Sequence, residues 1–222
     1  MKQNLLLFCS VLCVLCDSMV NPSFAAAPVV NSLFPPGGQR GTKLDVTVGG
    51  TFDKWPVQAW VSGDGVTMAA GKAKGTIRVT IAADAVPGVR YVRLFDAEGA
   101  SSPRPFIVGT LPEVTEKEPN DEPGSAHMLD RSTVVVNGRL DKTADVDCFA
   151  VPLHKGQTLV ASVEANRTLK SPMDGILQLV GPDGFLIAEN NDHDGLDPQI
   201  VFTAPKDGTY IVRLFAFPAT PD

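Results

Sequence analysis

Apolar and polar residues alternate in short runs along most of this chain. Leu44-Asp45-Val46-Thr47-Val48 and Ile77-Arg78-Val79-Thr80-Ile81 each place every second side chain on one face, the period of a half-buried strand. Val57-Gln58-Ala59-Trp60-Val61, Val89 to Phe95 and Pro105 to Val108 add three more runs, with Trp60 assigned to a core strand. Pro35-Pro36-Gly37-Gly38, Ser62-Gly63-Asp64-Gly65 and Pro87-Gly88 separate them with turn chemistry. A second series begins near residue 125. Val134-Val135-Val136 leads through Asn137-Gly138, and Phe149, Val151 and Leu153 alternate, as do Leu159, Ala161, Val163 and Ala165. Ile176 to Val180, Leu186 to Ala188, Ile200 with Phe202, and Tyr210 to Phe215 complete it, with Pro182-Asp183-Gly184 and Asp207-Gly208 as tight turns.

Both series predict β-structure, and the length of 222 residues fits two domains. The chain is therefore expected to be all-β, two tandem antiparallel β-sandwiches. About seven short strands in residues 28–110 read as an immunoglobulin-like sandwich. Residues 111–124 change character: Glu113, Glu116, Glu118, Asp121 and Glu122 surround a single Lys117, and Pro112, Pro119 and Pro123 interrupt them. That acidic stretch is expected to be an extended linker, poor in secondary structure, before a second sandwich over 125–222. Twenty Gly and eighteen Pro suit many short strands joined by turns rather than long helices.

The N-terminus changes the picture of where the protein resides. Lys2 precedes an apolar stretch from Leu5 to Cys16, broken by Ser10, too short to span a bilayer but long enough for a secretory signal. Ser23 and Ala25 set a cleavage site after Ala25, with Ala27 as the alternative, so residues 1–25 read as a signal peptide. Phe8, Leu12 and Leu15, which precede the three early cysteines, are too large for a lipoprotein anchor. Cleavage leaves Cys148 alone, which excludes a disulfide framework. It reads as a small buried strand residue, with a nucleophile as the alternative. The expected location is secreted or extracytoplasmic, in the periplasm or at the cell surface, with no membrane span after cleavage. Net charge is −6 and no Lys/Arg stripe stands out, so nucleic acid is not an expected partner.

Candidate chemistry is acidic. Glu116, Glu118 and Asn120 project to one side of an extended segment, Asp121 adjoins them, and Asp145 and Asp147 alternate at a strand entrance. Ca²⁺ needs about six to eight oxygens and tolerates irregular geometry, which oxygens from two segments can provide. The alternative is a solvated acidic linker beside a polar turn. Asn190, Asn191, Asp192, Asp194 and Asp197 form a second acidic group, but Gly195 falls at the wrong spacing for an EF-hand. They read as a turn-rich loop. His127, His154 and His193 are scattered and complete no catalytic motif, so no catalytic residue is assigned.

Two resemblances add to this. Pro28 to Pro35, Gly41 to Gly50, Pro87 to Leu94 and Phe106-Ile107-Val108 resemble IPT/TIG-type immunoglobulin-like domains. Glu116-Lys117-Glu118-Pro119-Asn120-Asp121, Gly138, Asp145-Val146-Asp147-Cys148-Phe149, Gly156-Gln157-Thr158-Leu159 and Asp183-Gly184 run in one order. With Asn190-Asn191-Asp192, Phe202 to Pro205 and Gly208-Thr209-Tyr210 they resemble the bacterial pre-peptidase C-terminal (PPC) domain, a jelly-roll sandwich whose group includes collagenase collagen-binding modules. The resemblance implies a non-catalytic module of secreted peptidases and other exported proteins. It also implies a structural Ca²⁺ held by Glu116, Glu118, Asn120, Asp121 and Asp147, with Asp145 less firmly included. Some members carry a further acid where Ala144 stands.

The expected function is an exported, non-catalytic binding or spacer protein, calcium-stabilised, whose partner is an unidentified polymer or a partner domain of a longer chain. The alternative is the N-terminal, non-catalytic part of a longer secreted hydrolase, a peptidase. Members of the resembled family continue one strand beyond Tyr210 to Phe217, so the chain is also expected to be a fragment whose second sandwich is open along one edge.

Overall fold

A computed structural model describes residues 25–131 and 133–217. The signal-peptide expectation and Pro218 to Asp222 lie outside the described residues, save for Ala25 at the expected cut.

The first series forms nine strands: β1 (Val29–Phe34), β2 (Gly37–Gln39), β3 (Lys43–Thr51), β4 (Gln58–Val61), β5 (Val66–Ala70), β6 (Thr76–Ile81), β7 (Gly88–Asp96), β8 (Gly99–Ala100) and β9 (Arg104–Gly109). They make two sheets, β1-β3-β6-β5 and β2-β9-β7-β4, with β8 alongside β7. This is the strand distribution of an immunoglobulin sandwich. Alternation on β3 and β6 sends Val46, Val48, Ile77, Val79 and Ile81 inward, where they meet Val92, Leu94, Phe106 and Val108 of the opposite sheet. Trp55 closes one end of this core, edge-on to Phe52 at 5.3 Å, its Nε1–H donating to the Gly71 carbonyl at 3.0 Å. Trp60 differs from expectation. It lies on β4 opposite Arg93, while its neighbours Ala59 and Val61 pair with the core residues Leu94 and Val92. Half of Trp60 is exposed. Strand parity put it on the outer face.

The second series forms β10 (Glu113–Thr115), β11 (His127–Met128), β12 (Val135–Asn137), β13 (Asp147–Leu153), β14 (Thr158–Ser162), β15 (Gly175–Val180), β16 (Leu186–Asn190), β17 (Gln199–Thr203) and β18 (Gly208–Ala216), with one helical turn, α1 (Asn166–Leu169). A five-stranded sheet of order β11-β13-β18-β15-β16 faces the pair β14–β17. Between them lie Val151, Leu153, Leu177, Leu179, Ile200, Tyr210 and Val212. Burying an apolar side chain of this size contributes about 1.5–3 kcal/mol. Cys148 is fully buried on the other face of β13, packed with Ala150, Val180 and Ile211, as its structural reading anticipated.

One expectation needs correction. The acidic stretch is not bare linker: Glu113 to Thr115 pair in parallel with Val135 to Asn137, and the Asn120 carbonyl accepts from the Cys148 N–H at 2.9 Å. It is strapped onto the second sandwich. Within the five-stranded sheet β18 is central, with β13 and β15 paired along its two sides. Among the described residues, β14 and β17 bond only to each other, as do β10 and β12.

Candidate metal centre

The strap and the entrance of β13 bring three carboxylates together. Ligand oxygens of Glu116, Glu118 and Asp147 lie within 4.8 Å of one another. Glu116 follows β10, and its N–H donates to the Asn137 carbonyl at 3.0 Å; its Oε1 accepts from the Arg139 N–H at 2.6 Å. Its carboxylate lies directly over Gly138, where a Cβ would come within 2.5 Å of Oε2. A side chain there would push the Glu116 carboxylate aside. Asp147 opens β13 and is 1% exposed. Asn120, fully buried, turns its side-chain amide toward the Glu118 carboxylate at 3.0 and 3.2 Å. With its nitrogen inward it donates to both oxygens; with its oxygen inward it adds a fourth oxygen to the set.

Electrostatics mark the same place. Burial, followed by the charge of Glu116 and its hydrogen bond, pushes the Asp147 carboxyl up to about 8. Burial likewise raises the Glu116 carboxyl. Asp147 therefore either holds a proton or needs a cation beside it. The donor set is hard oxygen throughout, Glu116 Oε2 is buried with no hydrogen-bond partner, and the donors come from two segments. These features fit Ca²⁺. Glu116, Glu118 and Asp147 would hold it, with Asn120 Oδ1 in reach, and the ion would neutralise the converging carboxylates.

The remaining two expected ligands are engaged elsewhere. Lys142 Nζ donates to Asp121 Oδ2 at 2.6 Å and lies 3.4 Å from Asp145 Oδ1. That hydrogen bond holds the Asp121 carboxyl below its ordinary range. Asp145 Oδ2 accepts from the Asp141 and Lys142 N–H groups, closing a turn in which Ala144 takes φ 61°. The structure thus groups Glu116, Glu118 and Asp147 with Asn120 alongside, and diverts Asp121 and Asp145 to Lys142. Sequence reasoning missed Lys142 and the steric role of Gly138, although Gly138 stood among the resembling residues.

The second acidic group is a loop. Asp197 is buried and accepts from the Ala165, Asn166 and Arg167 N–H groups, Asn190 Oδ1 accepts from the Gln199 N–H, and Asp194 pairs with Arg167 at 2.9 Å. No helix among the described residues is long and apolar enough to cross a membrane.

An all-β chain with an oxygen-lined cluster at the mouth of its second sandwich is the class these features define. Residues 145–216 match the bacterial pre-peptidase C-terminal domain, a non-catalytic C-terminal domain found in secreted peptidases. The chain is 30% identical over 105 residues to a Deinococcus radiodurans protein described as a "Probable subtilase-type serine protease". The match spans 47% of this chain and 14% of that protein's length. Among solved structures, a glucan-utilization-locus protein of Bacteroides ovatus (SGBP-B) has a TM-score of 0.31 and 9% identity over 84% of this chain and 76% of its own. The Yersinia pseudotuberculosis adhesin InvE has a TM-score of 0.27 and 11% identity over 86% of this chain and 56% of its own. At these scores neither structure bears on fold or function.

Proposed function

We propose that this chain is an exported, non-catalytic binding or spacer protein whose second sandwich is stabilised by calcium. The observation that carries the reading is the convergence of Glu116 and Glu118 on Asp147, which stands at the start of the segment that matches the peptidase-associated domain. Buried carboxylates that serve no ion pair are costly, and a divalent cation turns that cost into cross-linking of the strap to β13. In this reading residues 1–25 direct export, residues 28–110 form an IPT/TIG-like domain, and the acidic strap belongs with the second sandwich. The length of the Deinococcus relative, of which the match covers 14%, favours a second reading: the non-catalytic part of a longer secreted hydrolase.

A ligand that binds only the folded chain stabilises it by RT ln(1 + [L]/Kd), about 2.7 kcal/mol at a hundredfold excess over Kd. Millimolar calcium should therefore raise the melting temperature of residues 26–222, and Asp147→Ala should abolish the rise. Identical melts in chelator and calcium would remove the metal from this proposal. Peptidase and esterase assays on the same chain should stay at background; turnover that co-purifies with it would overturn the non-catalytic reading.

A further inference from the structure

The chain has two Trp and two Tyr, and the fold uses one of each. Trp55 is tied to Gly71 through its indole N–H, and Tyr210 is 1% exposed with its hydroxyl donating to the Lys206 carbonyl at 3.0 Å. Trp60 and Tyr91 are treated differently. They are 50% and 52% exposed, and neither the Trp60 indole N–H nor the Tyr91 hydroxyl has a partner among the described residues. Both lie on one sheet face. Trp60 is directly opposite Arg93, Tyr91 is two residues before Arg93 on β7, and Val89 and Ile107 pair across β7 and β9 on the same side.

Diagonal neighbours on adjacent strands are about 7–8 Å apart, so one extended ligand can lie across both rings. Exposed rings with unmet polar ends bind groups that are apolar on one face and hydroxylated at the rim, which describes a pyranose. The charge on this face selects further. The molecule's net charge is −6, yet no outward position of β4, β7 or β9 here is Asp or Glu, and Arg93 is exposed among them. Arg93 spends Nη1 on the Ser101 carbonyl at 3.3 Å; the rest of its planar fork has no partner among the described residues, in the form that pairs with a carboxylate.

We propose that the outer face of β4, β7 and β9 binds an acidic polysaccharide, with Trp60 and Tyr91 stacking on its sugar rings and Arg93 pairing with a uronate carboxylate. This names a ligand class for the binding-module reading and rests on it.

The test is affinity electrophoresis of the full chain through gels containing sodium polygalacturonate or dextran, with chelator present so that calcium does not gel the polymer. Polygalacturonate should retard the chain and dextran should not. Trp60→Ala and Tyr91→Ala should each weaken retardation about tenfold, the loss of one central aromatic contact. Trp60→Phe should keep most of it, and Arg93→Gln should erase the preference for the acidic polymer. Because these positions are exposed, their melting temperatures should match the parent. Absence of retardation by polygalacturonate, equal retardation by dextran, or unchanged retardation of the Trp60→Ala/Tyr91→Ala double variant would each overturn this site. None of those results touches the non-catalytic reading, which would fall instead if the gel polymer were cut.

Discussion

Asp147 meets its neighbours under conditions that set its proton affinity. Its carboxyl rises from 3.8 to about 8 in the folded chain, first through burial and then through Glu116. Between those values the folded chain holds a proton that the unfolded chain releases. Stability in chelator should therefore fall as pH rises from about 4 to 8. On the proposed calcium site, the ion should reverse the trend, because it would replace that proton and bind better as pH rises. Melting curves at pH 5, 6, 7 and 8, with and without calcium, read both slopes. Asp147→Asn should flatten the chelator series and remove the calcium response, whereas parallel slopes in the two series would contradict a shared proton and metal site. Glu116 and Glu118 were legible in the sequence because a two-residue repeat puts them on one side of an extended segment. The pairing of Asp121 and Asp145 with Lys142 was not legible, because Lys142 reaches them only through the turn that Ala144 makes at φ 61°.

At the scale of elements, β15 and β14 show how differently two strands of one sandwich are anchored. Leu179 of β15 is fully buried, while Val160 of β14 is 59% exposed and faces Val201, itself 64% exposed. Leu179→Ala should cost about 2–5 kcal/mol. Val160→Ala should cost under about 1 kcal/mol, the scale of one cross-strand pair. Chemical denaturation measures both, and equal losses would mean that the β14–β17 pair is covered in solution. The strands themselves were readable, since alternation at Leu44 to Val48 and Ile77 to Ile81 survives almost residue for residue. Trp60 was readable too: it shares parity with Gln58, not with Val57, Ala59 and Val61. The parallel pairing of residues 113–115 with 135–137 had no such signal. It joins segments some twenty residues apart in the sequence, and neither segment alone carries a strand-length pattern.

Across the whole molecule, one residue links the carboxylate cluster to the first sandwich. The Arg139 N–H is held by Glu116, and its guanidinium stands 4.1 Å over the Phe34 ring at the end of β1. The connection between the sandwiches is further pinned where Gln39 Nε2 donates to the Thr110 carbonyl and the Val135 N–H to the Pro112 carbonyl. A cation–π contact at such a site is worth about 0.5–1 kcal/mol. Arg139→Ala should therefore speed proteolytic cleavage between residues 109 and 113 about two- to fivefold while leaving the calcium-dependent melt unchanged. Unchanged cleavage would mean the stacked pair does not restrain the junction.

The central place of β18 has a consequence for the order in which the chain acquires its structure. A polypeptide that emerges amino end first presents every expected calcium ligand by residue 147, but β13, which carries Asp147, bonds along its length to residues 208–214. Until those residues appear, β13 and β15 lack the strand that separates them, and the cluster has no firm floor. The first sandwich can close as soon as residue 109 is out; the second waits for about a hundred residues more. A ribosome or translocation pore would thus hold the second half open throughout its passage, and the carboxylate cluster would be among the last parts of the molecule to assemble.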